Sequence, residues 1–271
     1  MKILITGSKG MLGQDIVKEL KKTKFEIFDF GKEKLDITNK SDMNIIKKIS
    51  PNFIINCAAY TKVDLAEKEK EKCYSDNVKG VKEIVDICKR KNFTLVHIST
   101  DYVFDGTKKE YNENDKKNPI NYYGKTKAES EDIIINNLKK YYIIRTSWLF
   151  GKNENNFVEK FLRFSKGKKE LKVVNDQFGS PTYTKDLSRA IIKVIDKKYG
   201  IYHITNSGNC SWFEFASEIV KKKNIKCKLI SCSTKEFPTK AKRPRYSILK
   251  NNKIKKLRLW KLALNEYLKE K

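Results

Sequence analysis

Histidine is scarce in this 271-residue chain, and closely paired cysteines are absent. The chain has two histidines, and none of its six cysteines belongs to a CxxC pair. A zinc site built from cysteine and histidine therefore has few available ligands. We expect no bound metal ion; Mg²⁺ is possible but is not indicated by the sequence. We interpret the cysteines as reduced, mostly buried thiols of a cytoplasmic protein, namely Cys57, Cys73, Cys88, Cys210, Cys227 and Cys232.

Long apolar runs are also missing. No segment approaches the roughly 18 apolar residues that indicate a transmembrane helix. The N-terminal stretch "MKILITGSKG" has no long apolar segment followed by a small-residue cleavage site, so we interpret it as a first strand rather than a signal peptide. The sequence therefore favours a cytoplasmic location and no membrane partner. It leaves open whether the protein is a monomer or a homodimer.

Arginine is rare although the chain is strongly basic. The net charge is +26, from 59 Lys+Arg against 33 Asp+Glu, yet only seven of the basic residues are arginines. Arginine is the side chain best suited to bidentate recognition of bases and phosphates. The lysines are spread along the whole chain and form no basic arm, and lysine, asparagine and isoleucine are all abundant, as expected of an AT-rich genome. We therefore expect no nucleic-acid partner.

Short apolar runs alternate with amphipathic stretches through the first 150 residues. Several of the apolar runs are hydrophobic on both faces, as parallel strands between two helix layers must be. The alternation predicts an α/β fold with a doubly wound parallel sheet of the Rossmann type. The predicted strands cover residues 2–6, 25–30, 53–59, 94–100 and 141–147, and the predicted helices cover 11–22, 41–49, 64–91 and 121–140.

Beyond residue 150 the pattern loosens, which suggests a second region. We expect a dinucleotide-binding domain over residues 1–149, to which residues 182–204 return. Residues 150–181 and 205–271 would then form a smaller, discontinuous region that mainly binds substrate. Such a region would cover the carboxyl ends of the strands, where ligands bind in this kind of fold.

Three glycines follow the first predicted strand and open the first predicted helix. Gly7 permits a tight turn, Gly10 lets the backbone approach a pyrophosphate at the helix N-terminus, and Gly13 allows close packing of helix on sheet. The spacing is GxxGxxG rather than the more familiar GxGxxG. Asp29 ends the second strand, where a carboxylate can hold the 2′-hydroxyl of an adenosine ribose. The pattern favours dinucleotide binding over an ordinary glycine-rich turn.

The stretch "NYYGKTK" (121–127) contains a candidate catalytic pair. On a helix, residues four apart share a face, and Tyr123 and Lys127 have that spacing. Tyr122 pairs instead with Thr126. A nearby ammonium group favours the ionised form of a phenol, so Lys127 could tune Tyr123 as an acid and also bond a cofactor ribose. Alone, the pair could be a chance feature of a surface helix; the glycine-rich loop makes the catalytic interpretation stronger.

Together, the glycine-rich loop and the Tyr123–Lys127 pair resemble the extended short-chain dehydrogenase/reductase superfamily. Other stretches narrow the resemblance to the dTDP-4-dehydrorhamnose reductase family, and it covers nearly the whole chain. Ser130 departs from the family pattern, which leads us to expect glycine there. The stretches that carry the narrower resemblance are "CAAYTKVDLAE" (57–67), "STDYVFDG" (99–106), "RTSWLFG" (145–151), "DQFGSPT" (176–182) and "RPRYSILKNNKI" (243–254).

This resemblance implies a function and a set of site residues. It implies hydride transfer from NADPH or NADH to a dTDP-linked 4-keto-6-deoxy sugar, with Tyr123, Lys127 and Thr100 as the catalytic set. Asn77 matches a structural asparagine of the superfamily. The resemblance also implies substrate contacts from Thr100, Asp101 and Trp148. The implied cofactor-binding residues are Gly7, Gly10, Met11, Leu12, Gly13, Asp29, Asp36, Ile37, Ala58, Ala59, Tyr60, Tyr123 and Lys127.

Two other functions stay open at this point. One is another nucleotide-sugar dehydratase or epimerase of the same superfamily; against a dehydratase, Asp101 is followed by Tyr102 rather than by a second carboxylate. The other is a non-catalytic regulatory subunit resembling that of methionine adenosyltransferase. The intact Tyr123–Lys127 pair weakens that alternative without excluding it.

Overall fold

The structure is a computed structural model that describes residues 1–152 and 156–270. Its strands are β1 (Lys2–Thr6), β2 (Glu26–Phe30), β3 (Phe53–Asn56), β4 (Thr94–Thr100), β5 (Glu110–Tyr111), β6 (Tyr141–Thr146), β7 (Leu149–Phe150), β8 (Glu170–Val174), β9 (Phe178–Gly179), β10 (Thr182–Tyr183), β11 (Gly200–His203), β12 (Cys210–Ser211), β13 (Lys228–Cys232) and β14 (Ile248–Leu249). Its α-helices are α1 (Met11–Leu20), α2 (Asn44–Ile49), α3 (Val63–Ala66), α4 (Lys70–Tyr74), α5 (Gly80–Lys91), α6 (Tyr122–Asn137), α7 (Phe157–Ser165), α8 (Thr184–Val194), α9 (Trp212–Lys223) and α10 (Trp260–Lys269).

A six-stranded parallel sheet forms the centre of the molecule. Its strand order is β11-β6-β4-β3-β1-β2, and every neighbouring pair is parallel. The chain runs from β1 to the edge strand β2 and then returns to β3 on the other side of β1. This reversal opens a crevice at the carboxyl ends of the strands, where ligands bind in such sheets. The predicted doubly wound parallel α/β fold is confirmed.

Alternate residues of the strands face two separate hydrophobic cores, one on each side of the sheet. Ile3 and Ile5 of β1 pack with α1 and α8, whereas Leu4 packs with α5 and α6. Strands buried on both faces need apolar residues at nearly every position, which is why these segments could be recognised in the sequence. The two helix layers leave only the ends of the sheet for ligands.

The prediction of a single helix over residues 64–91 is wrong. This stretch is divided into α3, α4, a π-helical segment (Ser75–Lys79) and α5. The π-helical segment turns Asn77 inward, where its Oδ1 accepts from the backbone N–H of Tyr60 at 2.9 Å and its Nδ2 donates to Thr126 Oγ1 at 3.0 Å. These tertiary hydrogen bonds fix the loop after β3 against α6. π-Helical turns of this kind are frequent at functional sites.

A smaller cluster of elements lies beyond the central sheet in the chain. β8 pairs in parallel with β13, and a third hydrophobic core joins α7, α9 and α10 through residues such as Phe215 and Trp260. The predicted division of the chain into two regions stays a prediction, and residues 153–155 and 271 of those regions lie outside the described residues. None of the helices in the described ranges is long and apolar enough to cross a membrane.

Candidate active site

A cavity of about 670 Å³ opens at the carboxyl ends of the central strands. It reaches from the loop after β1 to the start of α9. All but two of the site residues predicted from the sequence line it. Those that do are Gly7, Gly10, Met11, Leu12, Gly13, Asp36, Ile37, Ala58, Ala59, Thr100, Asp101, Tyr123, Lys127 and Trp148.

Glycine occupies three positions of the first loop, and the physical reason differs from one position to the next. Gly7 has a φ of +64°, and a Cβ there would lie 2.6 Å from the backbone nitrogen of Ala58. A Cβ on Gly13 would collide with the carbonyl oxygen of Gly7. Gly10 has an ordinary φ of −70°, and its Cβ would meet only the Gly7 oxygen at 3.4 Å. Packing within the chain therefore does not require glycine at position 10, whereas a ligand lying against this backbone would.

The loop also presents a helix N-terminus to the cavity. α1 begins at Met11, and its N-cap residue is Gly10, which has no side chain that could cap the helix. First-turn N–H groups have no acceptor within their helix, and the helix dipole favours an anion there. Together with the space above Gly10, these features fit the pyrophosphate of a dinucleotide.

Asp29 does not reach this cavity. Its side chain is exposed on β2, which is the edge strand of the sheet and continues one residue further to Phe30. The residues that follow the strand, Gly31, Lys32 and Glu33, line the cavity instead. The sequence argument placed the carboxylate at the strand end but could not give the direction of its side chain.

Tyr60 is the second predicted residue that does not line the cavity. Its side chain is buried, and its hydroxyl donates to Glu69 at 2.9 Å. Its backbone N–H is held by Asn77, so the neighbouring Ala58 and Ala59 face the cavity while the tyrosine ring points away. These hydrogen bonds anchor Tyr60 in the loop after β3.

The structure brings Tyr123, and not Tyr122, into the cavity. Asn121 caps α6 by accepting a hydrogen bond from the Gly124 N–H at 2.8 Å, which places Tyr123 in the first turn of the helix. The Tyr123 phenol lies beside Thr100, at the end of β4. Tyr122 instead lies under the amine of Lys70, 5.6 Å from the centre of its ring.

Burial acts in opposite directions on the pKa values of the candidate catalytic pair, Tyr123 and Lys127. It raises the pKa of Tyr123, so the phenol keeps its proton at neutral pH. It lowers the pKa of Lys127 to about 8, against an opposing effect of Glu131. The Lys127 amine donates to the Ile98 carbonyl at 2.7 Å and lies 2.9 Å from His97 Nε2, so its hydrogen bonds do not go to Tyr123. Acid tuning of Tyr123 by Lys127 stays a prediction.

Asp101 has a buried carboxyl group beside Thr100, the threonine of the predicted catalytic set. Burial raises its pKa to about 7, although the nearby Ser247 hydroxyl and the hydrogen bond from Thr100 act to lower the pKa. The Thr100 hydroxyl donates to Asp101 Oδ1 at 3.0 Å. Ser247 belongs to the C-terminal stretch that the sequence analysis associated with substrate. The Asp101 carboxyl group therefore lies between the end of β4 and this C-terminal stretch.

Trp148 lies at the cavity with an unusual backbone conformation. Its φ is +48°, in the left-handed region that a bulky residue rarely adopts. Its ring is half-buried and stacks on Trp212 with centroids 3.5 Å apart. Any side chain on Gly179 would collide with the Trp148 indole. Such strain in a cavity lining is typical of functional sites.

Several residues that line the cavity were not predicted from the sequence. Lys9 lies inside the glycine motif and forms an ion pair with Glu33 at 2.5 Å, so its position in the motif could have signalled it. Trp212 begins α9 far along the chain, and no local pattern connects it with Trp148. Within residues 1–152 and 156–270, no group of three or more His, Cys, Asp or Glu side chains could hold a metal ion.

Comparison with known sequences matches one family over the whole chain. The family is described as the RmlD substrate binding domain, and the match covers residues 1–271. The dTDP-4-dehydrorhamnose reductase of Aggregatibacter actinomycetemcomitans is 42% identical over an alignment of 269 residues, and the match covers 93% of this chain and 92% of that protein.

Two solved structures are similar to this chain over almost their full length. A dTDP-4-dehydrorhamnose reductase from Clostridium acetobutylicum has a TM-score of 0.96 and 45% identity, and the match covers 100% of this chain and 99% of that one. The corresponding reductase from Bacillus anthracis, solved in complex with NADP, has a TM-score of 0.96, 42% identity and the same coverage. Similarity at this level extends through every element that forms the cavity.

Proposed function

Because the chain belongs to the family described as the RmlD substrate binding domain, we propose that it reduces the C4 ketone of dTDP-4-dehydro-L-rhamnose to dTDP-L-rhamnose, using NADPH or NADH. This reaction is the last step of dTDP-rhamnose synthesis. One observation carries the proposal beyond the family: Tyr123, Thr100 and the glycine-rich loop meet in one cavity. The relatives named dTDP-4-dehydrorhamnose reductase support the choice of sugar nucleotide.

Different residues of the chain have different roles in the proposed reaction. A bound reduced nicotinamide supplies the hydride for the C4 carbonyl carbon. Tyr123 gives its proton to the carbonyl oxygen as negative charge develops there, and the Thr100 hydroxyl donates a hydrogen bond to the same oxygen. Lys127 holds the cofactor ribose, and Gly10, Met11 and Leu12 bind the pyrophosphate at the start of α1. The strongly basic surface attracts the anionic substrate.

The direct test is oxidation of NADPH or NADH with dTDP-4-dehydro-L-rhamnose, followed by absorbance. The GDP- and UDP-linked counterparts serve as matched controls for the nucleotide. We expect turnover with the dTDP-linked sugar and a much lower kcat/KM with the other two. Absence of turnover with the dTDP-linked sugar, or a preference for another nucleotide, would refute the proposal.

Lys32 is expected to contribute to NADPH use. Its amine lies at the cavity, 3.5 Å from Asp36 and 3.4 Å from Asp76, where it can meet a 2′-phosphate. We expect both cofactors to work in the native protein. Lys32→Ala is expected to raise KM for NADPH about tenfold while changing KM for NADH little, because one charge-assisted hydrogen bond contributes about 1.5–3 kcal/mol.

Lys34 is the matched control for this measurement. It is a surface lysine two residues away that does not line the cavity. Lys34→Ala should leave both KM values unchanged. If Lys34→Ala weakens NADPH use and Lys32→Ala does not, the 2′-phosphate lies elsewhere.

Trp148 is expected to contact the bound sugar or nucleotide. Trp148→Ala should raise KM for the sugar nucleotide roughly tenfold, since stacking on an aromatic side chain contributes about 1–3 kcal/mol per base. The Tm should change little, because the ring is only half-buried. Trp260 is the control for a tryptophan that serves the core: it is 3% exposed, and Trp260→Ala should cost about 3–5 kcal/mol of stability. A large loss of Tm in Trp148→Ala, with KM unchanged, would assign Trp148 to the core as well.

A further inference from the structure

A row of buried polar side chains crosses the sheet beneath the cavity and ends at Lys127. Thr6 of β1, Asn56 of β3 and His97 of β4 are neighbours in register, on the face that carries α6. Thr6 Oγ1 donates to Asn56 Oδ1 at 2.6 Å, Asn56 Nδ2 lies 3.1 Å from His97 Nδ1, and His97 Nε2 lies 2.9 Å from Lys127 Nζ. Each of the four residues is at least 99% buried. A buried row of this kind has a limited number of possible proton positions.

The orientation of the Asn56 amide is fixed from outside the row. Asn56 Oδ1 accepts the backbone N–H of Ala58 at 3.2 Å, in addition to the Thr6 hydroxyl. A backbone N–H can only donate, so this atom of Asn56 must be the oxygen. The amide nitrogen then faces His97 and donates to Nδ1. His97 Nδ1 is therefore an acceptor and carries no proton.

The proton of His97 consequently lies on Nε2. Burial lowers the pKa of His97 well below its ordinary value, so the ring is neutral and has one N–H. Ser130 agrees with this assignment. Its hydroxyl donates to the Lys127 carbonyl at 2.7 Å, so its oxygen, 3.4 Å from His97 Nε2, is left to accept. Ser130 is the position at which the family pattern leads us to expect glycine, and glycine has no such acceptor.

The Nε2–H group faces Lys127, and only one form of the lysine can accept it. An ammonium group has three donors and no acceptor, whereas a neutral amine accepts one hydrogen bond and still donates. As an amine, Lys127 accepts from His97 Nε2–H and donates to the Ile98 carbonyl. As an ammonium group, Lys127 would point an N–H donor at the Nε2–H donor of His97, and no hydrogen bond could form between them.

The other groups around Lys127 do not reverse this preference. Burial raises the pKa of the Cys57 thiol to about 12 and also raises the pKa of Cys73, so neither supplies an anion at neutral pH. Tyr123 keeps its proton for the same reason. Glu131, one helical turn away, does favour the ammonium form. Its carboxylate is engaged by Arg145 and, at 3.5 Å, by Lys117.

We propose that His97 is a positioning residue that acts through Lys127: by presenting an N–H instead of a lone pair, it makes the neutral amine the form of the lysine that this site binds best. The consequence for activity rests on the proposed reductase function. Lys127 then changes between ammonium and amine within the working pH range of the enzyme. Activity falls at alkaline pH as the charge is lost, and His97 sets the pH at which this happens.

The proton position can be measured directly, because the chain has only two histidines. Labelling both imidazole rings with ¹⁵N gives two pairs of NMR signals, and the pair that persists in His203→Gln belongs to His97. At about pH 9, above the Lys127 pKa of about 8, we expect a protonated Nε2 and an unprotonated Nδ1. A protonated Nδ1, or a ring protonated on both nitrogens, overturns the proposal. This measurement requires neither activity nor a change at His97.

The pH profile of kcat/KM is the second measurement. In His97→Gln, the amide oxygen can accept from the ammonium group, so the alkaline limb should move up by at least about one pH unit. His203→Gln is the matched control, since it also replaces a buried histidine, and its limb should stay in place. A limb that does not move in His97→Gln overturns the proposal. A protein with the Nε2–H ring but no reductase activity would instead support the assignment at His97 and refute the proposed function.

Discussion

Replacing Tyr123 by phenylalanine is expected to lower kcat at least about 10²-fold, the usual scale for losing a general acid. The phenol lies beside Thr100, and burial raises its pKa, so it holds the proton that the developing alkoxide needs. Phenylalanine removes the hydroxyl but keeps the ring, whose centroid lies 6.2 Å from that of Tyr102. Steady-state oxidation of NADPH with dTDP-4-dehydro-L-rhamnose measures the loss. Cofactor binding, measured by fluorescence titration, should survive.

The neighbouring tyrosine supplies the control. Tyr122 is also half-buried and in the first turn of α6, but it faces α4 rather than the cavity. Tyr122→Phe should retain most of the native kcat. An inactive Tyr122→Phe beside an active Tyr123→Phe would show that the proton donor has been assigned to the wrong residue. Comparable activity of both variants with the native protein would mean that neither tyrosine is the acid.

The central sheet could be predicted from the sequence because each strand carries its own signal. The bounds of β1 and β4 agree with the predicted runs 2–6 and 94–100, since strands buried on both faces must be apolar at nearly every position. The glycine-rich turn was recognisable for a similar reason. Gly7 and Gly13 are needed by contacts close in the chain, and such contacts leave a local pattern.

The parts that could not be predicted depend on contacts between distant segments. In the π-helical segment, Asn77 forms hydrogen bonds with Tyr60 and Thr126. Both partners are distant in the sequence, so helical periodicity alone could not predict this segment. Trp148 meets Trp212 only after the chain has folded. The environment of Lys127 is of the same kind. Sequence spacing joins it to Tyr123, but the fold joins it to His97 through hydrogen bonds.

Replacing Glu131 by glutamine is expected to lower the free energy of unfolding by about 3–5 kcal/mol. Glu131 and Arg145 form a bidentate ion pair, with N–O distances of 3.0 and 2.7 Å, and their side chains are 0% and 2% exposed. Glutamine keeps one acceptor but turns an NH₂ group towards the guanidinium or the Ser99 hydroxyl, leaving a buried charge without its partner. Thermal unfolding should show a fall in Tm of roughly 10 °C.

The pH dependence of this effect has a defined sign. Burial acts to raise the pKa of Glu131, but Arg145 and Lys117 outweigh it, and the pKa in the folded protein is lowered. The ionised carboxylate therefore stabilises the fold above its unfolded pKa of about 4.3. This contribution is lost as the pH falls through the folded pKa. The difference in Tm between the native protein and Glu131→Gln should accordingly be constant near neutral pH and shrink in acid.

A surface ion pair tests whether burial is the cause. Glu110 and Lys250 lie 2.8 Å apart, but their side chains are 40% and 53% exposed. Glu110→Gln makes the same chemical change and should cost no more than about 1 kcal/mol, because water screens the pair and solvates the lysine that remains. Equal losses of Tm in the two variants would contradict this account. Since Ser99 joins the buried pair to β4, a loss confined to Glu131→Gln would show that the ion pair holds α6, and with it Tyr123 and Lys127, against the sheet.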